Sequence, residues 1–543
     1  MKKFNLLFEE SLIKLGLLLI WRIMDYMFLI WLLNVAASSC MVEIHAQHEN
    51  IPYQDVENIC DSCICVISQE ANKRYNCILS CVSKNFHHIL AHWPEEFGTS
   101  NNNGMNFVAT FSGNPIHLLQ QLPGTNASLT FSCRHCGIRD IQAPAFMDVP
   151  NLKRLDLGWN EIRDDVLTPE VFRGPFRTTH YEPIGLLELI LCHNKLHTLD
   201  KKLFEHTPNL TKLDLSYNKF TILDGSTTMA LNLAVRLEVL NLAHIGLNSL
   251  PVTMFKNLLN LKELNLSGNE FKTVPENLKL IGKGLENLSL ARNQIKGLTE
   301  KCFLGLKSLR HLNISYNAIK SIENDSFLYL ETLEYFDCSH NPQLLSFHLD
   351  NLLHCHKLRQ LDISYCGIQR LSMAENLPFS IVGMDSSTQI LPLPWPNLRT
   401  IKMIDNPWQC DCGLMRVLEY IGAYHKHNSG EARCETPYIL AGVHVSNLTT
   451  DMLCNLQMSK KYQFIEEDPP RFLRKRYIIL TACTATIVIL LGLIIGLLVV
   501  CMRRRLKSHA FAVEPIRYTS VRSSNLSPLS AVDPIAISPT SLA

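Results

Sequence analysis

Two groups of cysteines are the residues in this chain whose spacing could support chemistry. The first group is Cys60-x-x-Cys63-x-Cys65 with Cys77, and the second is Cys410-x-Cys412 with Cys434 and Cys454. Four thiolates can hold zinc in a tetrahedral site, or the same cysteines can pair as disulfides. Nineteen cysteines in 543 residues, clustered in this way, favour disulfides formed in an oxidising compartment. Zinc coordination stays as the alternative.

No catalytic motif accompanies these cysteines. The sequence has no glycine-rich phosphate loop, no nucleophile elbow and no His-Glu-x-x-His metal motif. We therefore predict that the protein is not an enzyme and that it uses no metal or cofactor. The net formal charge of +1 argues against nucleic acid as a partner, so a protein partner is expected.

An eight-residue phrase recurs between the two cysteine groups and must position any binding residues. One copy is Leu213-Asp-Leu215-Ser-Tyr-Asn218-Lys-Phe220. The register positions equivalent to its Asn are Cys136, Asn160, Asn194, Asn218, Ile245, Asn269, Asn293, Asn317, Asn341, Cys366 and Asn406. Their successive steps are 24, 34, 24, 27, 24, 24, 24, 24, 25 and 40 residues. A period in the twenties with this pattern is the leucine-rich-repeat signature. It predicts an α/β-type solenoid, a curved horseshoe with a parallel β-sheet on its concave face.

The repeated residues are expected to have structural roles. Alternation along a strand directs Leu213 and Leu215 inward, while the amide at the Asn position can bond backbone groups of neighbouring turns. Cysteine suits that position at Cys136 and Cys366, whereas Ile245 removes a hydrogen-bonding side chain, so we predict a weaker rung there. Phenylalanines on the return segments should fill the convex side of the core: Phe204, Phe255, Phe303 and Phe327.

Departures from the period locate loops. The 34-residue step places about ten extra residues around 164–181, and the 40-residue step places about sixteen around 376–396. Insertions in such repeats form loops that often lie at a binding face. A further repeat is predicted before the series, at Ala109-Thr-Phe111-Ser-Gly-Asn114.

The second cysteine group resembles the C-terminal cap of extracellular leucine-rich-repeat proteins, through Asn406-Pro-Trp408-x-Cys410-Asp-Cys412-x-Leu414. The first group is similar to their N-terminal cap, and the resemblance covers roughly residues 60–455. It implies four disulfides: Cys60 with Cys65, Cys63 with Cys77, Cys410 with Cys434, and Cys412 with Cys454. Cys81 is additional to the usual pattern of the N-terminal cap, so the pairing there is less determined.

Two cysteines within the repeats are expected to be unpaired. Cys338 replaces an inward leucine and should be buried as a small apolar side chain. Cys192 is assigned to an outward strand position, equivalent to Ser216 one repeat later. We expect the long loop before Cys192 to shield it, and an intermolecular contact is the alternative.

A nearly uninterrupted apolar run, residues 477–502, is long enough to span a bilayer about 30 Å thick. Apolar stretches within residues 1–46, followed by Ala36-Ala-Ser-Ser, suit a cleaved signal peptide, with an uncleaved anchor as the alternative. Cleavage predicts a single-pass type I protein of the plasma membrane with the repeats outside. Gly492 and Gly496 permit close packing of helices, so a homodimer is one expected state.

The predicted segments follow from these features. They are a signal-peptide region 1–46, an N-terminal cysteine cap and extension 47–108, about 11–12 repeats 109–405, a C-terminal cap 406–455, a juxtamembrane stalk 456–476, a transmembrane helix 477–502 and a short disordered cytoplasmic tail 503–543. Seven acceptor sequences for N-glycans precede the apolar run: Asn126, Asn209, Asn265, Asn287, Asn313, Asn324 and Asn447.

The residue before each Asn position contributes to a stripe rich in aromatics and histidine, which we assign to outward strand positions of the concave surface. Tryptophan and tyrosine are frequent in binding hot spots, although such residues are also common at this position in these repeats. Asn265, Asn287 and Asn313 are outward in three successive repeats, so glycans there would cover the central sheet. We therefore place a protein partner at a flank of the solenoid or at the N-terminal part of the stripe: Trp159, His193, Tyr217 and His244.

The predicted function is that of a cell-surface protein-binding receptor or adhesion molecule, similar to the adhesion and guidance members of the extracellular leucine-rich-repeat group. Its expected partner is an extracellular protein ligand or another cell-surface protein. The alternative is an innate-immune recognition or decoy receptor, with an ectodomain similar to that of Toll receptors. The 41-residue tail is too short for a Toll-type signalling domain.

Overall fold

The computed structural model describes residues 59–69, 75–94, 97, 105–373, 395–422 and 432–454. The predicted signal peptide, the predicted membrane helix with Gly492 and Gly496, the tail and the 376–396 loop except for its last two residues lie outside these ranges. Within the ranges, none of the helices combines the length and the apolar character that a bilayer crossing requires.

Fourteen strands of the described chain form one sheet, and the sheet runs through the repeats in chain order. The strands are Ile64–Gln69, Tyr75–Ser80, Asn106–Thr110, Ser128–Ser132, Leu152–Asp156, Glu188–Ile190, Lys212–Asp214, Val239–Asn241, Glu263–Asn265, Asn287–Ser289, His311–Asn313, Tyr335–Asp337, Gln360–Asp362 and Thr400–Lys402. The first pair is antiparallel, and every later pair is parallel.

The central strands pair without a register shift, so equivalent residues of successive repeats lie side by side. Leu213 aligns with Leu189 on one side and with Leu240 on the other, and all three are buried. Because side chains alternate along a strand, one face of the sheet carries this apolar column and the opposite face carries polar residues. The predicted leucine-rich-repeat solenoid with a parallel sheet is confirmed.

Short elements return the chain from one strand to the next. The part of the chain that the structure describes contains three α-helices, Gly225–Leu233, Cys412–Gly422 and Thr450–Cys454, with 3-10 turns at Ile59–Asp61, Pro169–Phe172, Glu276–Leu280, Leu349–Leu352, Tyr438–Leu440 and Val445–Asn447. Two-residue to five-residue strands are Leu118–Leu119, Asp140–Ile141, Arg173–Arg177, His180–Pro183, Gly297–Leu298, Ser321–Ile322, Ser346–His348, Arg370–Ser372, Trp408–Gln409 and Cys434–Thr436. The four phenylalanines predicted for the return segments are fully buried: Phe204, Phe255, Phe303 and Phe327.

The 34-residue step leaves the register of the sheet intact. Its extra residues form a hairpin of Arg173–Arg177 and His180–Pro183, and the flanking strands Leu152–Asp156 and Glu188–Ile190 pair directly. The insertion therefore forms a separate hairpin outside the repeat sheet and does not change the pairing of the strands on either side of it.

Amide side chains at the register positions form a ladder inside the solenoid. Asn317 accepts a hydrogen bond from the Ile295 backbone N–H at 3.0 Å and donates to the carbonyls of Leu290 and Ile314 at 3.0 and 2.9 Å. The same arrangement recurs at Asn160, Asn194, Asn218, Asn269, Asn293, Asn341 and Asn406. These bonds satisfy backbone groups that the sharp turns would otherwise bury without partners.

The ladder begins in the predicted extra repeat and is interrupted at Ile245. Asn114 accepts from the Lys84 N–H at 2.8 Å and donates to the Cys81 carbonyl at 2.7 Å. At the isoleucine, the Thr221 N–H instead donates to the Ile245 carbonyl at 2.9 Å, with Thr221 in a left-handed conformation at φ 53°. The predicted loss of a side-chain partner at this rung is thus visible as a local change of the turn.

The first cysteine group pairs differently from the implied pattern. Cys60 is joined to Cys65, but Cys63 is joined to Cys81, and Cys77 is a buried free thiol. The antiparallel register explains this correction, because Ile64 lies opposite Ser80 and the next residues outward are Cys63 and Cys81. Cys77 lies opposite Ile67, on the core face of its strand, and its sulfur contacts that of Met105 at 3.3 Å.

A disulfide between Cys133 and Cys136 was not predicted. The sequence pattern assigns Cys136 to an Asn-like rung, and the second cysteine at such a rung, Cys366, does act in that way. Its thiol donates to the carbonyls of Cys338 and Ser364, both at 3.4 Å. Cys136 instead forms a covalent bond within its own turn.

A second compact unit of the described chain contains Gln409–Glu419 and Cys434–Cys454. Two disulfides hold it, Cys410 with Cys434 and Cys412 with Cys454, which are the pairs that the resemblance implies. Disulfides stabilise such a small unit by restricting its unfolded chain.

Candidate functional site

The predicted stripe lies on the turns that follow the strands, not on the strands. The strand Lys212–Asp214 ends three residues before Tyr217, and equivalent residues take the same position in each repeat. All of them have left-handed backbone: His135, Trp159, His193, Tyr217, His244, Gly268, Arg292, Tyr316, His340, Tyr365 and Asp405. Leu215, Ser216 and Asn218 are all buried, and Tyr217, just before the asparagine, turns outward at φ 56°. The stripe therefore follows the edge of the sheet at which the strands end.

Five of these side chains form one continuous stack, which we call the N-terminal ring column. Trp159 stacks on His193 with ring centroids 3.5 Å apart, and His193 stacks on Tyr217 at 4.0 Å. Tyr217 continues to His244 at 4.4 Å, while Trp159 is covered on its other side by His135 at 4.8 Å. The structure thus brings together all four residues predicted from the sequence and adds His135.

The column presents ring edges rather than ring faces to solvent. Trp159 is 42 % exposed and Tyr217 is 46 % exposed, although neighbouring rings cover their faces. Ring edges carry partial positive charge, and the indole and phenol tips are hydrogen-bond donors. Desolvation lowers the pKa of both His193 and His244, which favours the neutral rings. The column can therefore offer a rigid apolar body with polar tips to a partner.

Gly268 ends the N-terminal column. A Cβ at this residue would overlap the ring of His244, which leans into the space left by the missing side chain. A second stack, the C-terminal ring column, starts one repeat later. The Arg292 guanidinium lies 4.1 Å from the centre of the Tyr316 ring, and the stack continues through His340 to Tyr365 at 3.9 and 4.4 Å.

The start of the first insertion lies close to the N-terminal column. Asp164 accepts hydrogen bonds from the backbone N–H groups of His197 and Thr198 at 2.6 and 3.2 Å. With Lys195 and Lys219 it lines a surface cavity of about 420 Å³. Both lysines immediately follow register positions of the ladder, so the cavity borders the turns that carry His193 and Tyr217.

Three predicted glycan acceptors lie on the polar face of the central sheet. Asn265 and Asn313 end their strands and Asn287 begins the strand between them, and all three line one shallow depression of about 280 Å³. The Asn265 side-chain oxygen also accepts hydrogen bonds from the backbone N–H and hydroxyl of Ser267. Asn126, Asn324 and Asn447 are exposed, whereas Asn209 is half-buried and accepts from Arg236.

Cys192 is buried for a reason other than the expected loop. Its position is buried in other repeats too, where Ser216, Ser315 and Ser364 are each 4 % exposed and Cys192 is 7 % exposed. Desolvation, with a smaller contribution from the carboxylate of Asp214, raises the pKa of its thiol to about 11. Cys192 therefore packs in the core as the equivalent serines do, and we expect its thiol to react slowly. Cys338 is fully buried, as predicted.

Sequence reasoning missed His135 and the division of the stripe into two stacks. His135 precedes the register position Cys136, so the period already indicated it. The break at Gly268 was also visible in the stripe. The stacking itself had no sequence signal, because it depends on side-chain conformations in consecutive turns.

Several family models and known proteins match parts of this chain. Family models described as leucine rich repeat match residues 184–233 and 283–342, residues 150–165 and 354–370, and residues 260–280. Keratocan of Gallus gallus is 34 % identical over 97 residues, which cover 18 % of this chain and 26 % of keratocan. Osteomodulin of Rattus norvegicus is 28 % identical over 218 residues, covering 37 % of this chain and 46 % of osteomodulin.

The match to a mouse protein, the CD180 antigen of Mus musculus, is 32 % identical over 124 residues and covers 23 % of this chain and 17 % of that protein. The chain thus matches less than half of the length of each of these relatives. Among solved structures, the glycosylated Toll–Spatzle complex of Drosophila aligns with 20 % identity and a TM-score of 0.45, over 63 % of this chain and 47 % of that chain. The repeat period, the parallel sheet and the family matches agree, and the chain is a leucine-rich-repeat protein with disulfides near its N-terminus.

Proposed function

We propose that this protein is a cell-surface recognition or adhesion molecule that binds a protein partner through the N-terminal ring column. The observation that carries the proposal is the unbroken stack of His135, Trp159, His193, Tyr217 and His244 with exposed ring edges. Aromatic side chains held in one conformation lose little entropy on binding, and tryptophan and tyrosine dominate binding hot spots.

The position of the column supports this choice over the centre of the sheet. Glycans on Asn265, Asn287 and Asn313 would occupy the central polar face, whereas the predicted acceptors closest in sequence to the column, Asn126 and Asn209, lie outside the repeat turns that form it. The hairpin at Arg173–Arg177 belongs to the same stretch of repeats, which adds a further irregular surface for a partner.

The disulfides and the extracellular relatives indicate a secreted or cell-surface protein. We propose the cell-surface form, a type I protein anchored by residues 477–502, with helix pairing through Gly492 and Gly496 as a route to a homodimer. The alternative role is that of an innate-immune recognition or decoy receptor. The same column would then bind the protein that such a receptor recognises.

A binding screen with matched variants tests the proposal. The purified full-length chain would be applied to cells that each display one defined surface protein. Trp159→Ala with Tyr217→Ala should weaken the partner's affinity about 100-fold or more, because two central aromatic anchors are lost. The control, Tyr316→Ala with Tyr365→Ala in the C-terminal column, should bind normally. Equal affinity of the Trp159/Tyr217 variant and the wild type, with unchanged melting temperature, would refute the proposal.

A further inference from the structure

Three lysines occupy equivalent positions in consecutive repeats and form what we call the lysine row. Lys272, Lys296 and Lys320 each lie three residues after a ladder asparagine, and all are exposed. The Lys320 N–H donates to the Lys296 carbonyl at 2.9 Å, and the next residues pair as parallel strands in register. The backbones at Lys296 and Lys320 are therefore spaced by about 4.8 Å, the distance between neighbouring strands.

A fourth cation, Arg292, belongs to the same three repeats. Its guanidinium is held over the Tyr316 ring at 4.1 Å, which orients the group without neutralising it. Arg292 is exposed and lies four residues before Lys296 in the same repeat. The lysine row and Arg292 thus supply four exposed cations from three successive repeats.

Cations that lie just before the strands of the fourteen-stranded sheet are paired with carboxylates, whereas Arg292 and the lysine row are not. There, Lys262 pairs with Glu238 at 2.9 Å, and Glu334 pairs with both Arg310 and Arg359 at 3.2 and 3.0 Å. Across the described ranges, by contrast, none of the four cations forms an ion pair. The positions two residues before the three lysines hold Glu270, Gln294 and Ala318, which add a single carboxylate.

We infer that the lysine row with Arg292 binds a linear sulfated polysaccharide. The cations recur at one-repeat intervals along the solenoid, which matches a polymer whose anionic groups also recur along an extended chain. Sulfates stay charged throughout the physiological pH range and accept hydrogen bonds from ammonium and guanidinium groups. The inference stands apart from the proposed protein partner, which uses the N-terminal ring column.

A single-stranded nucleic acid is the other polyanion that such a row would attract. Binding of that kind combines phosphate contacts with bases stacked on aromatic faces. Here the faces of Tyr316 are occupied by Arg292 on one side and by His340 on the other, with ring centroids of Tyr316 and His340 3.9 Å apart. The row consequently offers charge contacts but no stacking platform, which favours the polysaccharide.

Heparin binding by the full-length chain tests the inference. The Lys272→Gln, Lys296→Gln, Lys320→Gln variant should bind heparin about tenfold more weakly at physiological salt. For this variant, the slope of log affinity against log salt concentration should become shallower by about three, one for each lysine contact removed. The matched control changes three exposed lysines of the return segments: Lys256→Gln, Lys283→Gln and Lys307→Gln. This control variant has the same net charge as the first variant, and its affinity for heparin should fall by less than about twofold.

Several outcomes would overturn the inference. They are absence of heparin binding by the wild-type chain, equal weakening of the two variants, undiminished binding of desulfated heparin, and tighter binding of single-stranded RNA or polyglutamate than of heparin. Equal melting temperatures of the variants would show that folding is unaffected. Independently of any variant, heparin should protect Lys272, Lys296 and Lys320 of the wild-type chain from acetylation, as read by mass spectrometry. Unprotected lysines would contradict the inference.

Discussion

The indole of Trp159 lies on the imidazole of His193, with ring centroids 3.5 Å apart and planes inclined by 14°. The two residues are 34 positions apart in the chain, yet they occupy adjacent turns because the inserted hairpin leaves the pairing of their strands unchanged. A backbone hydrogen bond joins the same two turns, because the Trp159 N–H donates to the Cys192 carbonyl at 2.8 Å. The register of the sheet thus sets ring separations that suit stacking.

The stack predicts a dependence of stability on pH. Desolvation lowers the pKa of His193 below its ordinary value of 6.5, so the folded state binds fewer protons than the unfolded state below that pH. The contribution of His193 to stability is present above pH 6.5 and is lost as the pH falls below it. His193→Phe should keep the stack and reduce the fall in the free energy of unfolding between pH 7 and pH 5, measured by urea titration. His354→Phe, at an exposed residue, is the control and should leave the fall unchanged.

The amide ladder predicts a large cost for removing a rung. Asn317→Ala leaves the Ile295 N–H without its side-chain acceptor and removes donors to the carbonyls of Leu290 and Ile314. We expect the free energy of unfolding to fall by about 3 kcal/mol, because each buried unsatisfied group costs about 1–3 kcal/mol. Asn260→Ala removes one exposed hydrogen bond, to the Val235 carbonyl, and should cost less than about 1 kcal/mol. Similar losses in both variants would contradict a special role for the ladder.

The corrected pairing of the first cysteine group predicts unequal effects of two substitutions. Cys81→Ala opens the bond to Cys63 and should lower the free energy of unfolding by about 2–5 kcal/mol. Cys77→Ala removes only a buried sulfur and should cost about 1 kcal/mol. Non-reducing peptide mapping of the wild-type protein should yield the Cys63–Cys81 peptide. Recovery of a Cys63–Cys77 peptide would instead restore the pairing implied by the cap resemblance.

The burial of Cys192 predicts low reactivity. Because its pKa is raised from 9.0 to about 11, the thiolate fraction near neutral pH should be about 100-fold lower than that of an ordinary thiol. Iodoacetamide at pH 8 should leave Cys192 unmodified in the folded protein and label it after denaturation, as measured by mass spectrometry. Cys192→Ser should be tolerated, since serine fills the equivalent position at residue 216. Equally fast labelling of the folded and the unfolded protein would show that the thiol is accessible.

The residues alone were sufficient to establish the solenoid. Each repeat packs only on its neighbours, so a local period specifies which leucines face inward and where the asparagine rungs lie, as Leu213, Asn218 and Asn317 show. The same register identifies the stripe residues and isolates Ile245 as an interruption of the ladder. These features are local in sequence, and their geometry repeats with the chain.

Tertiary structure decided what the period leaves open. The sequence predicted the stripe on the strands, but it lies on the left-handed turns because Leu215 and Asn218 both face the core. Only on these turns could Trp159 and His193 stack. Cys63 paired with Cys81 because an antiparallel hairpin, which is not part of the repeat, set them opposite each other. Both outcomes depend on side chains brought together by neighbouring turns or strands. A one-dimensional pattern of residue types does not specify such contacts, because it contains neither the backbone conformation of a turn nor the register of an isolated hairpin.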